Sequence, residues 1–364
     1  MRSDAQADDT DVSALVSIDQ LLDLARTVVD PGAYIWADAA AGEEVTARRN
    51  RIALNRLALM SRVLVDVGKI DTTTSFVGVP LALPVVMAPV GALSLYHPDG
   101  AMGSAAAAAA AGTASICGML VSDSWEELAA TAPGRHLFQL YVGGDRGWLA
   151  DVIGRVEAAQ YSAIVVSADS PVIGRRDRAL IDGFTWSHGA HERPENLAEH
   201  GYDMKFRKSV TWADMDWICA NSSLPVVLKG VLSTQDARRA VDGGAAGIYV
   251  SNHGGRTLDQ SVSSIEVLAE IVDEVDGAAD VMIDGGFQHG PDVLKALALG
   301  AKAVAVGRLQ CWALAVGGQL GVDKVLDILR AEIETSLANL GCARLADLGP
   351  DRVRWSIPTI PTMS

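Results

Sequence analysis

The sequence predicts an α/β fold, a (β/α)8 (TIM) barrel with helices before the first strand and a lid after the fourth. Three observations carry this. Eight short apolar runs recur between residues 83 and 306, and helical patterning separates most of them. The runs are apolar throughout rather than alternating, as strands buried on both faces must be. Several end in residues able to do chemistry, above all residues 246–259. There a β-branched run breaks into a glycine-rich turn that sets His253 and Arg256 three positions apart. In a parallel β/α barrel the loops after the strands build the reactive face.

Taken in order, residues 1–14 read as a disordered tail with four aspartates and no apolar core, and residues 15–364 as one barrel domain. Residues 17–30 have an amphipathic pattern with Ser17 as cap, ended by Pro31-Gly32. Residues 34–59 read as two short helices and 71–81 as a strand-and-turn lead-in. The eight strands are expected at 83–90, 113–118, 136–142, 163–169, 225–229, 246–251, 281–284 and 303–306. Helical stretches fall at 125–130, 148–160, 212–220, 234–242, 264–275 and 291–299. Such alternation implies a parallel sheet, and eight repeats imply closure; an open doubly wound sheet is the alternative. Residues 176–211 form a long polar connection, read as a lid. The helical segment after Arg308 is expected to close the barrel's base or to form an oligomer contact.

Composition narrows the classes. A 49% hydrophobic chain of 364 residues can bury the core that one such barrel needs. A net charge of −15 argues against nucleic-acid or acidic-membrane binding. Cys117, Cys219, Cys311 and Cys342 are widely spaced, without metal-ligand spacing, so reduced thiols in a cytoplasmic protein and no metal site are expected. The alanine-rich stretch 101–119 is broken by Gly103, Gly112 and Gly118 and reads as a packed helix and strand rather than a membrane span.

The strand ends form the specific pattern. Strand one ends in Ala88-Pro89-Val90-Gly91, small enough for a flat ring to approach the main chain. Strand two ends in Gly118. Strand three supplies Gln139 and Tyr141, and strand four Ser167 and Asp169, followed by Arg175-Arg176. Strand five ends in Lys229, strand six in Ser251 and His253, strand seven in Asp284-Gly285-Gly286, and strand eight in Gly307-Arg308. An imidazole can take a proton near neutral pH, and an arginine can hold a carboxylate with two hydrogen bonds.

The run Ser251-Asn-His253-Gly-Gly-Arg256, together with these strand ends, resembles the FMN-dependent 2-hydroxy-acid oxidase and dehydrogenase family from about Ser17 onward, least so in the lid. The resemblance implies FMN as cofactor and oxidation of an L-2-hydroxy acid to a 2-oxo acid. It implies His253 as base, Asp169 as its orienting carboxylate, Arg256 and Arg176 as the substrate-carboxylate clamp, and Tyr141 as a donor to the substrate oxygen. Lys229 would stand near flavin N1. Gln139 and Ser167 would bond the ring edge, with Ala88, Pro89, Val90, Gly118 and Ser251 around the flavin. Asp284 would hold the ribityl chain, and Gly286, Gly307 and Arg308 the phosphate. It also implies a homo-oligomer, a tetramer by preference, and leaves the electron acceptor open among oxygen, a quinone and a soluble carrier.

Two departures stand out. Gln288 occupies the place of an arginine that grips the phosphate in the family, with His289 beside it as a substitute. Trp36 occupies the place of a tyrosine that contacts the substrate carboxylate. They motivate two alternatives: a tailoring oxidase for a bulky hydroxy acid or an amine, and a flavin-binding homologue without activity. The joint retention of His253, Asp169, Arg256 and Lys229 argues against the latter.

Overall fold

The computed structural model describes residues 12–184 and 206–356. All eight strands form: β1 (Val85–Met87), β2 (Ile116–Gly118), β3 (Leu137–Leu140), β4 (Ala163–Ser167), β5 (Val226–Val231), β6 (Gly247–Val250), β7 (Asp280–Ile283) and β8 (Ala303–Val306). Their order in one parallel sheet is β1-β8-β7-β6-β5-β4-β3-β2. A parallel bridge from Met87 to Ser115, at the start of β2, closes the ring and excludes the open sheet. The ladders are mostly shorter than the apolar runs, because the runs leave the sheet at its C-terminal end to become loops.

Side chains alternate across each strand. Val86, Ile116, Val165, Val227, Tyr249 and Met282 fill the barrel, while Val85, Met87, Val166, Ile248 and Val250 pack outward with the helices. Phe76, on a hairpin of Thr74–Phe76 with Val79–Leu81, joins the inner cluster. The hairpin plugs the base: the Val77 N–H donates to Asp280 Oδ2 at 2.7 Å, where β7 begins. Gly247 leaves room for it, since a Cβ there would lie 3.0 Å from Val77 and from Val227. The base is therefore not closed by the C-terminal helix, contrary to that sequence expectation. The helix Arg308–Leu340, kinked at Gly317 and Gly318, runs instead along the flank against Gly100–Ala110 and Ile18–Val28.

Three N-terminal helices set up the opposite end. Helix α1 (Ile18–Val28) starts as expected, with the Gln20 N–H donating to Ser17 Oγ at 3.2 Å. Pro31 then opens α2 (Pro31–Asp38) at its first position, where no N–H is needed, and Asp30 caps it. Helix α3 (Val45–Arg56) packs on the turn that follows β6. Val12–Ala14 is a 3-10 turn held by Lys324 Nζ donating to the Ser13 carbonyl at 2.8 Å, so the tail expectation does not hold for these three residues. Residues 1–11 lie outside the described residues. So does most of the proposed lid; its described parts are the helix Asp177–Asp182, packed on α2, and a 3-10 turn Phe206–Ser209.

Candidate active site

The turn after β6 is built on unusual backbone. His253, Gly254 and Gly255 all have positive φ (55°, 63° and 76°). For the histidine this conformation costs on the order of 1 kcal/mol. Gly255 has no alternative, because a Cβ would fall 2.6 Å from the Ala47 nitrogen of α3. A reciprocal amide pair fixes the turn to that helix: Asn50 Nδ2 donates to Asn252 Oδ1 (3.0 Å), and Asn252 Nδ2 to Asn50 Oδ1 (2.8 Å).

So held, His253 places Nδ1 3.0 Å from Asp169 Oδ1. The other carboxylate oxygen accepts from Lys229 Nζ at 2.9 Å, and Ser251 Oγ accepts from Lys229 Nζ (3.1 Å) and from the His253 N–H (3.0 Å). Gly230 makes the approach possible. It bulges β5 with φ 105°, and a Cβ there would sit 2.3 Å from Asp169 Cβ. Burial of Asp169 opposes its ionisation, but His253 and Lys229 outweigh that and hold the carboxyl well below the usual range. Burial depresses the His253 pKa and Lys229 depresses it further; Asp169 offsets part of this. Lys229 is buried too, yet Asp169 and Asp284 keep its pKa raised. The ring is therefore neutral at pH 7, with the Nδ1 proton on the Asp169 side and Nε2 left to accept.

His253 opens into a cavity of about 690 Å³ at the barrel mouth, in the range of small-molecule sites. Arg176, Arg256 and Arg308 share it. Two N–H groups of Arg176, Nε and Nη1, are buried without partners among the described residues. Burial and Arg308 push the Arg176 pKa down to about 10. Burial, Arg176 and Arg308 push Arg256 well below its ordinary value. Such a cluster of cations is completed by an anion. Arg256 Nη1 is tied to the Ala37 and Ala39 carbonyls (2.5 and 2.8 Å), which anchors it to the end of α2. Trp36 lies beneath both arginines, with Arg176 Cζ 4.6 Å and Arg256 Cζ 6.0 Å from its ring centre. Tyr34 is turned away and stacks on Trp312 at 4.6 Å.

Among the residues expected around FMN, Ala88, Pro89, Val90, Gln139, Lys229, Asp284, Gly286, Gln288, Gly307 and Arg308 line this cavity, as does Tyr141, expected as donor to the substrate oxygen. Ser167 lines an adjoining cavity of about 340 Å³. Of the residues expected around FMN, three have a buried atom with no partner among the described residues: Gln139 Nε2, Ser167 Oγ and Asp284 Oδ1, whose sister oxygen accepts from Tyr249 Oη at 2.9 Å. The helix starting at Arg308 also ends on the cavity, and its first N–H groups favour an anion. Unpaired ring-edge donors and acceptors, a polyol-reach carboxylate and a helix N-terminus fit a flavin mononucleotide.

Other expected residues stand outside this lining. Gly118 and Ser251 do not line the cavity: Gly118 backs against Val90, and Ser251 is fully buried behind Lys229 and His253. His289, read as a substitute for the missing phosphate-gripping arginine, lies outside the cavity lining and turns its ring to Glu332 (3.4 Å), which raises its pKa. Arg308 spends Nε on the Ala37 carbonyl (3.0 Å) and Nη2 on that of Gly254 (3.1 Å). Sequence reasoning missed Arg48 and Arg51, one helical turn apart on α3 and both lining the cavity. Arg51 Nη1 donates to the Gly286 carbonyl (2.7 Å) and Asp292 Oδ2 (2.5 Å). The Arg48/Arg51 spacing was the available signal. Arg207, in the segment read as lid, was missed as well.

A parallel barrel with a neutral histidine–carboxylate pair, an arginine cluster and a flavin-shaped set of unpaired groups defines a class, the flavin-using barrel oxidoreductases. Residues 25–355 match the model of the FMN-dependent dehydrogenase family, and the chain belongs to that family. It is 39% identical over 357 residues to an L-lactate oxidase of Nostoc sp., covering 93% of this chain and 98% of that one. It is 37% identical over 354 residues to a peroxisomal (S)-2-hydroxyacid oxidase of Arabidopsis thaliana, covering 93% and 96%. A mandelate oxidase crystal structure superposes with a TM-score of 0.87 at 39% identity, covering 94% of this chain and all of that one. The protein is thus an FMN-dependent oxidoreductase.

Proposed function

We propose that this protein oxidises an L-2-hydroxy acid to the 2-oxo acid. The observation that carries the reading is His253, held neutral against Asp169 with Nε2 free, in one cavity with the unpaired N–H groups of Arg176. Arg176 and Arg256 bind the substrate carboxylate and fix C2. Tyr141 donates to the substrate oxygen. His253 Nε2 takes the hydroxyl proton, and Asp169 stabilises the imidazolium as it forms. FMN, when bound, would supply the acceptor for the C2 hydrogen together with its two electrons. Gln139, Ser167 and Lys229 would hold its ring, Asp284 its polyol chain, and Gly286, Gly307 and Arg308 its phosphate, with Arg48 and Arg51 on the same cavity wall. Lys229 would also place a positive charge beside that ring, which would favour its uptake of electrons.

The curated relatives named above are oxidases, which supports molecular oxygen as the second substrate. Exposed Val63, Leu64 and Val65, 81%, 102% and 42% accessible, support a homo-oligomer; the family resemblance favours a tetramer, which light scattering would reveal. No helix among the described residues is long and apolar enough to cross a membrane. The four cysteines are free thiols, which supports a cytoplasmic location. The test of the function is anaerobic mixing of the FMN-loaded protein with a panel of L- and D-2-hydroxy acids. Bleaching of the flavin band by L-acids, and peroxide on readmission of air, are the expected results. A flavin that no 2-hydroxy acid bleaches contradicts the reading.

A further inference from the structure

Arg207 is a buried cation that the chemistry above does not use. It is 8% exposed, and its guanidinium carbon lies 3.6 Å from the centre of the Tyr141 ring. Nη2 donates to Ser170 Oγ at 2.5 Å, and Nε is buried with no hydrogen-bond partner among the described residues. Among the described residues no carboxylate pairs with it. The one acid of the smaller cavity, Asp236, accepts instead from Ser233 Oγ at 2.9 Å, at the start of the helix Thr234–Asp242. Leaving a charge this deep without a counter-ion is costly, and proteins place one there when a ligand supplies the opposite charge. Arg207 lines both the 690 Å³ and the 340 Å³ cavities, and so stands where they meet, beside Tyr141.

We propose that Arg207 forms a second anion subsite, and that the substrate is an L-2-hydroxy acid with a second carboxylate at the far end of its chain. This rests on the hydroxy-acid reading above. With the first carboxylate on Arg176 and Arg256 and the hydroxyl at His253, the C2 substituent extends past Tyr141, and Arg207 closes that side. Ser170 orients the guanidinium, and the Nε–H, unpartnered among the described residues, is left to donate to the incoming group. One guanidinium neutralises one carboxylate, which makes a four- or five-carbon hydroxy dicarboxylate the matching class. A neutral alkyl tail would leave the cation unpaired.

The experiment compares kcat/KM for flavin reduction by L-malate and L-2-hydroxyglutarate with that for L-2-hydroxybutyrate and L-2-hydroxyvalerate, of equal carbon number. The holoenzyme should favour the diacids by at least about tenfold, the scale of one charge-assisted contact. Arg207→Met should remove that preference and Arg207→Lys should keep part of it. Titration of oxidised holoenzyme with 2-oxoglutarate and 2-oxovalerate, read from the flavin spectrum, should show the same order and the same loss. A purely structural Arg207 would change all acids together. Equal or better reduction by the monoacids, or an unchanged ratio in Arg207→Met, overturns the subsite and leaves the hydroxy-acid function standing. Reduction by no acid of the panel overturns both.

Discussion

Asp169 and Lys229 form an ion pair at 2.9 Å with both side chains almost wholly buried, and the carboxylate oxygen that Lys229 does not take faces His253. One carboxylate thus orients the base and neutralises the lysine. Asp169→Asn should therefore act twice. It removes support for the imidazolium, and it leaves the Lys229 charge uncompensated. Because Asp169 raises the His253 pKa and Lys229 lowers it, the apparent base pKa should fall in the variant. Flavin reduction should slow, by less than in a variant lacking the imidazole. A pH–rate profile with an unchanged or raised base pKa would contradict this coupling.

Gly230 is where the backbone makes that arrangement possible. Gly230→Ala puts a methyl 2.3 Å from Asp169 Cβ and an L-residue at φ 105°. Destabilisation of about 1–3 kcal/mol is expected, together with slower flavin reduction as Asp169 is displaced. A variant with the parent Tm and parent reduction rate would show that the approach is not tight.

Gln288→Arg should tighten FMN. The cavity wall there holds Arg51, already engaged with Asp292, and Arg308, engaged with two carbonyls. A fresh guanidinium adds a charge-assisted contact of roughly 1.5–3 kcal/mol, or a tenfold to hundredfold lower Kd. Fluorescence titration of apoprotein with FMN measures it, and an unchanged Kd would place the phosphate elsewhere.

Trp36→Tyr should raise kcat/KM for glycolate relative to longer acids, since a phenol offers a hydroxyl near the carboxylate clamp. The structure adds a cost. Arg176 covers the Trp36 ring at 4.6 Å, so a smaller ring loosens the clamp and raises KM for every acid. The ratio of kcat/KM values separates the two effects. A ratio unchanged by the substitution would remove position 36 from substrate selection.

Much of this was legible in the sequence because barrel strands are buried on both faces, which leaves continuous apolar runs, and because their ends carry the reactive groups. His253, Asp169, Lys229 and Arg256 could be placed at strand ends without coordinates. What could not be read arises from contacts between distant segments. The plug around Phe76 is invisible until β6 and β7 are seen to start beside it. Ser251 sits at a strand end yet points inward, and His289 finds Glu332 some forty residues on. Arg207 was hidden differently, since a polar segment without periodicity gives no sign of which of its charges is buried.

The central claim is that His253, neutral and aimed by Asp169, takes the substrate proton. Anaerobic stopped-flow reduction of the FMN-loaded protein by a 2-hydroxy acid, followed across pH in parent and His253→Gln, tests it most directly. The parent rate should rise with pH through a midpoint below about 6.5, the ordinary histidine value, and level off at neutrality, because burial and Lys229 depress the pKa. His253→Gln should keep its bound flavin, lose about 10²–10⁴-fold in rate, and lose that midpoint. A variant that reduces at the parent rate, or that retains the same pH midpoint, would contradict the account.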